Sequence, residues 1–179
     1  MLDFWKMNIT MIAAISTDGY IAGNGGDVSW NSVEDAAFLH TVVQEHKALI
    51  MGSKTFMKHR RPTLSGDDKT RIVLTKNPES YAAYIKEATF VSASVQTILK
   101  ELLHDNCPTA LILGGSSIYT ETIRYRLADT LYITIEPVVL SSGTALYNGT
   151  FTGAFEGYTL VDEHNLNIAG TRLLTFKKS

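Results

Sequence analysis

Short β-rich apolar runs alternate with amphipathic stretches through most of the chain, then give way to strands alone. Runs rich in Ile, Val, Leu and Thr at 9–15, 48–51, 71–75, 89–92, 110–113, 130–139, 158–163 and 171–176 predict eight strands. Between the early ones, stretches at 33–45, 54–59, 94–104 and 116–126 predict four helices. The first helix is the best defined. Ser32 stands where an N-cap belongs, Glu34 and Asp35 occupy the first turn, and no Gly or Pro interrupts it. Strand–helix alternation closing on a strand ribbon predicts an α/β fold. Its sheet should be about eight-stranded and mostly parallel, with about four helices spread over both faces and an antiparallel C-terminal strand.

Composition narrows the function classes. The 179 residues are 45% hydrophobic and 19% charged, enough apolar material for one buried core, so 1–179 is expected to form a single domain with 1–6 as a short extension. A net charge of −2 without a basic block argues against a nucleic-acid binder. The single cysteine, Cys107, excludes an internal disulfide and a cysteine-built zinc site, and the five histidines lack metal-ligand spacing, so no metal is expected. No run approaches the ~20 apolar residues of a membrane span, and the first seven residues lack the apolar core of a leader. The expectation is a cytoplasmic protein, monomer or homodimer, acting on a small molecule.

Three places carry more than fold. Gly114-Gly115-Ser116-Ser117 follows an apolar strand and opens a helix. It reads either as a tight turn alone or as a turn whose free N–H groups cradle a pyrophosphate. Met51-Gly52-Ser53-Lys54-Thr55-Phe56 and the segment around Thr75-Lys76 put hydroxyls beside lysines at carboxyl ends of strands, either as solvated surface or as a phosphate site. In the third, Trp30-Asn31-Ser32-Val33-Glu34-Asp35, helical spacing aligns Asp35 with Phe38, Leu39 and Val42, the apolar stripe, whereas Glu34 aligns with Ala37, Phe38 and Thr41. Asp35 therefore points inward, as a site carboxylate or as the acid of a capping box with Ser32. The glycine-rich loop at 23–29 has the freedom of a lid.

The order of these motifs resembles the dihydrofolate reductase and riboflavin-type pyrimidine reductase superfamily. The matching segments are 12–22, Trp30-Asn31 with Asp35, 51–56, Arg61-Pro62 with Gly66, and 114–119. Site spacing is nearest to dihydrofolate reductase, while the segment at 137–147 leans toward the riboflavin-type branch. The resemblance implies a catalytic set of Asp35, Thr134 and Trp30, with Asp35 holding the 2-amino group and N3 of a pterin and Thr134 supporting it. Ile12, Ala13, Ala14, Leu39 and Leu113 would wall the pterin and nicotinamide, and Tyr119 would lie beside the nicotinamide. It implies NADPH as cofactor, with Gly114, Gly115 (joined by a cis peptide), Ser116 and Ser117 on the pyrophosphate, helped by Thr55. Lys54 and Lys76 would take the 2′-phosphate, and Ile21, Gly52, Ser53, Thr75 and Ile118 complete the cofactor set.

Departures from the family pattern bear on the substrate. Where the folate enzymes carry an arginine for the glutamate tail, this chain has Asp67 and Asp68, with Lys69 and Arg71 the nearest cations. Ser53 replaces an arginine common at that cofactor position. The riboflavin-branch motif after the second strand is replaced by His59-Arg60-Arg61-Pro62-Thr63-Leu64. The expected reaction is NADPH-dependent reduction of 7,8-dihydrofolate to tetrahydrofolate. The alternatives are a pyrimidine reductase, with Arg60, Arg61 or Lys69 near a ribityl phosphate, and a non-catalytic pterin or nucleotide binding module.

Overall fold

The computed structural model describes residues 7–59, 68–149 and 152–179. An eight-stranded sheet runs through it. In chain order its strands are β1 (Asn8–Ser16), β3 (Ala48–Gly52), β4 (Thr70–Leu74), β5 (Thr89–Val91), β6 (Thr109–Ile112), β7 (Thr130–Glu136), β9 (Tyr158–Asn165) and β10 (Arg172–Lys178). Two short strands, β2 (Tyr20–Ala22) and β8 (Thr144–Ala145), pair separately. The sheet order is β5-β4-β3-β6-β1-β7-β10-β9. All pairings from β5 across to β7 are parallel, and β10 is antiparallel to both β7 and β9. The expected architecture is therefore present, ending in an antiparallel hairpin. Chain order reverses at the middle of the sheet: β1 leads outward to β3, while β6 returns beside β1 and leads to β7 on its other flank. A crevice opens at the carboxyl ends of the strands at such a reversal.

Four α-helices are present among the described residues: α1 (Val33–Glu45), α2 (Ser53–His59), α3 (Val95–His104) and α4 (Ser116–Arg124). They divide between the two faces, and the pleat of the strands creates two cores. Met11, Ala13 and Ile15 of β1 pack with Ile98, Leu102, Ile118 and Tyr119 from α3 and α4. Ile12 joins Val42, Val43, Phe56, Leu49 and Leu111 on the side of α1 and α2. The helix at 33–45 has the predicted bounds, and Ser32 caps it by accepting the Asp35 N–H.

One boundary and one strand pair differ from expectation for identifiable reasons. The strand expected to reach residue 139 stops at Glu136. Pro137 lacks a ladder N–H, and Val138 N turns back to Glu136 O at 2.8 Å. The pair β2–β8 is too short to leave a periodic signal. Among the described residues no helix is long and apolar enough to cross a membrane.

Candidate functional site

The carboxyl ends of the neighbouring parallel strands β3, β6, β1 and β7 lie along one edge of the sheet, where Glu136 of β7 meets the cap of α1 at Ser32. Asp35 is 5% exposed, whereas its neighbour Glu34 is half-buried and accepts Asn167 Nδ2 at 3.0 Å. The two adjacent acids thus have the separate fates that helical spacing predicts. Burial pushes the Asp35 carboxyl above its ordinary value; the nearby Thr134 hydroxyl pulls it back, and the charge of Glu136 pushes it further up. Thr134 is fully buried, and its Oγ1 meets no partner within full hydrogen-bond geometry. A buried carboxyl beside a buried, unsatisfied hydroxyl marks a place built for a polar ligand.

The capping-box reading of Asp35 holds only in part. Ser32 Oγ accepts from Asp35 N at 3.2 Å, but the reciprocal contact to Ser32 N is made by Glu136 Oε1 at 2.8 Å. Glu136 also takes the Ser32 hydroxyl, leaving the Asp35 side chain uncommitted to the cap. Sequence reading missed Glu136, because its partner lies 104 positions away. Its one local signal is an acid in a strand otherwise made of apolar residues, Tyr and Thr.

Between β6 and α4, Gly114 and Gly115 are joined by a cis peptide. Gly52 N donates to Gly114 O at 2.6 Å, tying the end of β3 to this turn. Gly114 has φ +85°, and a Cβ there would lie 2.3 Å from the Tyr119 ring. Gly115 serves as N-cap of α4 with φ −80°, and a Cβ there would meet Thr55 Oγ1 only at 3.5 Å and Ile21 at 4.0 Å. The structural demand for glycine thus falls on Gly114. Space remains between Gly115, Thr55 and Ile21, facing the N-terminus of α4, where Ser116 and Ser117 begin the helix. Ser53, half-buried, and Lys54, exposed, open α2, and Thr75 and Lys76 follow the adjacent strand β4. Neither lysine has an ion-pair partner among the described residues.

Tyr119 spans the floor of the crevice. Its buried hydroxyl lies 2.7 Å from Ile12 O and 2.9 Å from Leu113 O, so one phenolic proton serves two carbonyls. Burial, with Asp35 nearby, raises this phenol far above its ordinary value and keeps it a donor. Ile12, Leu39 and Leu113 share one apolar cluster, as a pocket wall requires. Ala13 does not join them: its side chain faces the opposite core, while Ala14 is half-buried at the register position of Thr134. Ile118 packs in the same core as Ala13, its Cγ1 3.8 Å from where a Cβ on Gly52 would lie.

The loop at 23–29 lies folded against its surroundings. Lys58 Nζ from α2 donates to Gly26 O, and Asn24 Nδ2 reaches Ser142 Oγ at 3.0 Å. Half-buried Trp30 closes the loop by donating from Nε1 to Asp27 O at 3.1 Å. The expected tail region is only partly visible, since Arg60, Arg61, Gly66 and Asp67 lie outside the described residues. Asp68 is paired with Lys47 at 2.6 Å. Lys69, one of the two nearest cations to the expected tail site, is 8% exposed and donates to Gln44 O and His46 O at 3.1 and 2.9 Å. It satisfies carbonyls at the C-terminus of α1 and does not reach for a ligand.

Comparison with known proteins agrees with this fold. The family model described as dihydrofolate reductase matches residues 8–154. The chain is 30% identical over 138 residues to dihydrofolate reductase type 3 of Salmonella typhimurium, covering 77% of each chain. It is 28% identical over 170 residues to the uncharacterized protein YwjB of Bacillus subtilis, covering 89% of this chain and 87% of that one. Among solved structures, a diaminohydroxyphosphoribosylaminopyrimidine deaminase/5-amino-6-(5-phosphoribosylamino)uracil reductase from Thermotoga maritima superposes with TM-score 0.79 at 17% identity. The match covers 97% of this chain and only 57% of that protein. A dihydrofolate reductase from Enterococcus faecalis, complexed with NADP(H) and RAB-propyl, superposes with TM-score 0.71 at 22% identity, covering 96% of both chains.

Proposed function

The chain belongs to the dihydrofolate reductase family, and from that premise we propose that it reduces 7,8-dihydrofolate to tetrahydrofolate with NADPH. The observation carrying this reading is Asp35, a buried carboxyl at the sheet crevice, beside the unsatisfied hydroxyl of Thr134. Two carboxylate oxygens side by side accept two parallel N–H donors, the pattern presented by the 2-amino and N3 edge of a pterin.

The residues around the glycine turn fit the cofactor. The space beside Gly115 adjoins Thr55 and the N-terminus of α4, where the backbone N–H groups of Ser116 and Ser117 would hold a pyrophosphate. Lys54 and Lys76, with the hydroxyls of Ser53 and Thr75, suit a 2′-phosphate and favour NADPH over NADH. NADPH, when bound, supplies the hydride. Ile12, Leu39 and Leu113 line the apolar wall that excludes water, and Tyr119 holds the two carbonyls of the floor in place. The loop at 23–29, which Trp30 closes by donating to Asp27 O, would act as the lid over a bound nicotinamide. Asp35 orients the pyrimidine edge and contributes its field, while a water admitted beneath the loop protonates N5 at the other end of the ring.

A second reading follows from the tail region. Asp68 and Lys69 are both engaged elsewhere in the protein, which favours a substrate without a glutamate tail, such as the phosphoribosylamino-pyrimidine of the riboflavin branch. One assay separates the readings: NADPH oxidation with dihydrofolate, or with 5-amino-6-(5-phosphoribosylamino)uracil. Oxidation with dihydrofolate supports the first reading, and oxidation with the pyrimidine alone replaces it. Tight NADPH binding with neither turned over makes the protein a binding module.

A further inference from the structure

Glu136 is a second buried acid at the site, with no role in the reading above. It is 2% exposed, and both oxygens are occupied. Oε1 accepts from Ser32 N at 2.8 Å and from Ser32 Oγ at 2.7 Å; Oε2 accepts from Thr171 Oγ1 at 2.6 Å. Thr171, itself 1% exposed, accepts Asn167 Nδ2 at 3.0 Å, and the same nitrogen donates to Glu34 Oε2. A chain of hydrogen bonds therefore runs from the first turn of α1 through Glu136 to the turn joining β9 and β10. Glu136 follows Thr134 by two positions on β7, so both side chains leave the same face of the sheet toward α1. Ser32 is the coupling point: while donating to Glu136, its hydroxyl accepts the Asp35 N–H at 3.2 Å.

We propose that Glu136 is a positioning residue of this site: through Ser32, whose hydroxyl donates to Glu136 and accepts the Asp35 N–H, it fixes the first turn of α1 and hence the place of the Asp35 carboxyl. The name of the site's ligand rests on the dihydropterin reading; the coupling of the two acids does not. A local capping box would have spent the Asp35 carboxylate on Ser32 N. By taking over that contact, Glu136 leaves Asp35 free for a ligand. Among the described residues, the titratable groups that act on Asp35 or feel its charge are Glu136 from β7 and Tyr119 from α4, a neutral phenol, while Glu34 on its own helix is turned to Asn167. Like charge disfavours ionisation, so removing the Glu136 charge lets Asp35 lose its proton at lower pH.

Two variants separate charge from reach. Glu136→Gln keeps the shape and an acceptor for Ser32 but removes the charge; Glu136→Asp keeps the charge and shortens the reach by one methylene. The first readout needs no substrate: carbon-13 NMR titration of labelled aspartates, with Asp35→Asn identifying the Asp35 resonance. The expected result is an Asp35 midpoint at lower pH in Glu136→Gln, matched by the same displacement in the pH profile of kcat/KM. Glu136→Asp should keep the midpoint near that of the parent yet lower kcat/KM about tenfold or more through misplacement. Lowered melting temperatures with the midpoint unmoved in Glu136→Gln would reduce Glu136 to a structural residue and overturn the proposal. If Glu136→Gln does not fold, Glu136→Asp within about threefold of the parent overturns it alone. A parent inactive with dihydrofolate whose Asp35 midpoint still responds to Glu136→Gln refutes the substrate reading and leaves this inference standing.

Discussion

Asp35→Asn separates what this side chain does for the ligand from what it costs the fold. The carboxyl is 5% exposed, and burial dominates its upward displacement. An acid whose folded value lies above its unfolded one destabilises the protein once pH passes the unfolded value, here near the ordinary 3.8. The penalty grows until pH exceeds the raised folded value and then stays constant. The amide carries no such penalty, so parent and Asp35→Asn should melt alike near about pH 3, and the variant should melt higher at neutral pH. For a chain of this size each kcal/mol relieved is worth ~2–4 °C. Catalysis should move the other way. One acceptor oxygen becomes an NH2 facing a substrate N–H, and loss of a charged hydrogen bond of ~1.5–3 kcal/mol lowers kcat/KM about 10–150-fold. Differential scanning calorimetry across pH and steady-state NADPH oxidation with dihydrofolate read the two effects. Turnover within about threefold of the parent, under ~0.7 kcal/mol, refutes the substrate role. A variant that melts lower at neutral pH refutes the burial argument. Glu34→Gln, whose position can still accept from Asn167, should change kcat/KM much less.

Neutralising both Lys54 and Lys76 should weaken NADPH far more than NADH, narrowing the preference roughly a hundredfold at ~1.5 kcal/mol per contact; equal loss for both cofactors refutes the phosphate assignment. Gly114→Ala should unfold or severely destabilise the protein, because its methyl meets the Tyr119 ring at 2.3 Å. Gly115→Ala should fold normally and bind NADPH more weakly, since the methyl enters the space beside Thr55; normal binding by fluorescence titration would show that the cofactor does not use that space. Lys69→Met should strip donors from Gln44 O and His46 O, lowering stability by ~1–3 kcal/mol without a selective rise in KM for dihydrofolate over a tail-less dihydropterin. A selective rise would return Lys69 to the tail site.

Much of this molecule is local enough to be read from the chain. Helix α1 appears with its predicted bounds because cap, first-turn acids and apolar stripe all lie within a few residues of one another. The same spacing separates buried Asp35 from Glu34, and the glycine pair at a strand-to-helix junction appears as the turn between β6 and α4. Other features depend on which distant segment arrives. Glu136 closes the cap of α1 from 104 positions away, which is why Asp35 is not consumed by Ser32. Lys69 reads as a loose surface cation until folding places it against the carbonyls that end α1. Periodicity puts Ala13 in a strand, but the choice of core it faces follows from strand order and from the helices packed on each face. Gly114 and Gly115 look equivalent in the chain; the Tyr119 ring, folded back from α4, makes only Gly114 irreplaceable. Hydrophobic pattern and capping chemistry act over single turns and strands, so the sequence by itself determined the elements, their order and the inward acid. The hydrogen-bond partners of buried polar groups are supplied by whichever strand the topology brings alongside, and only the tertiary structure decided those.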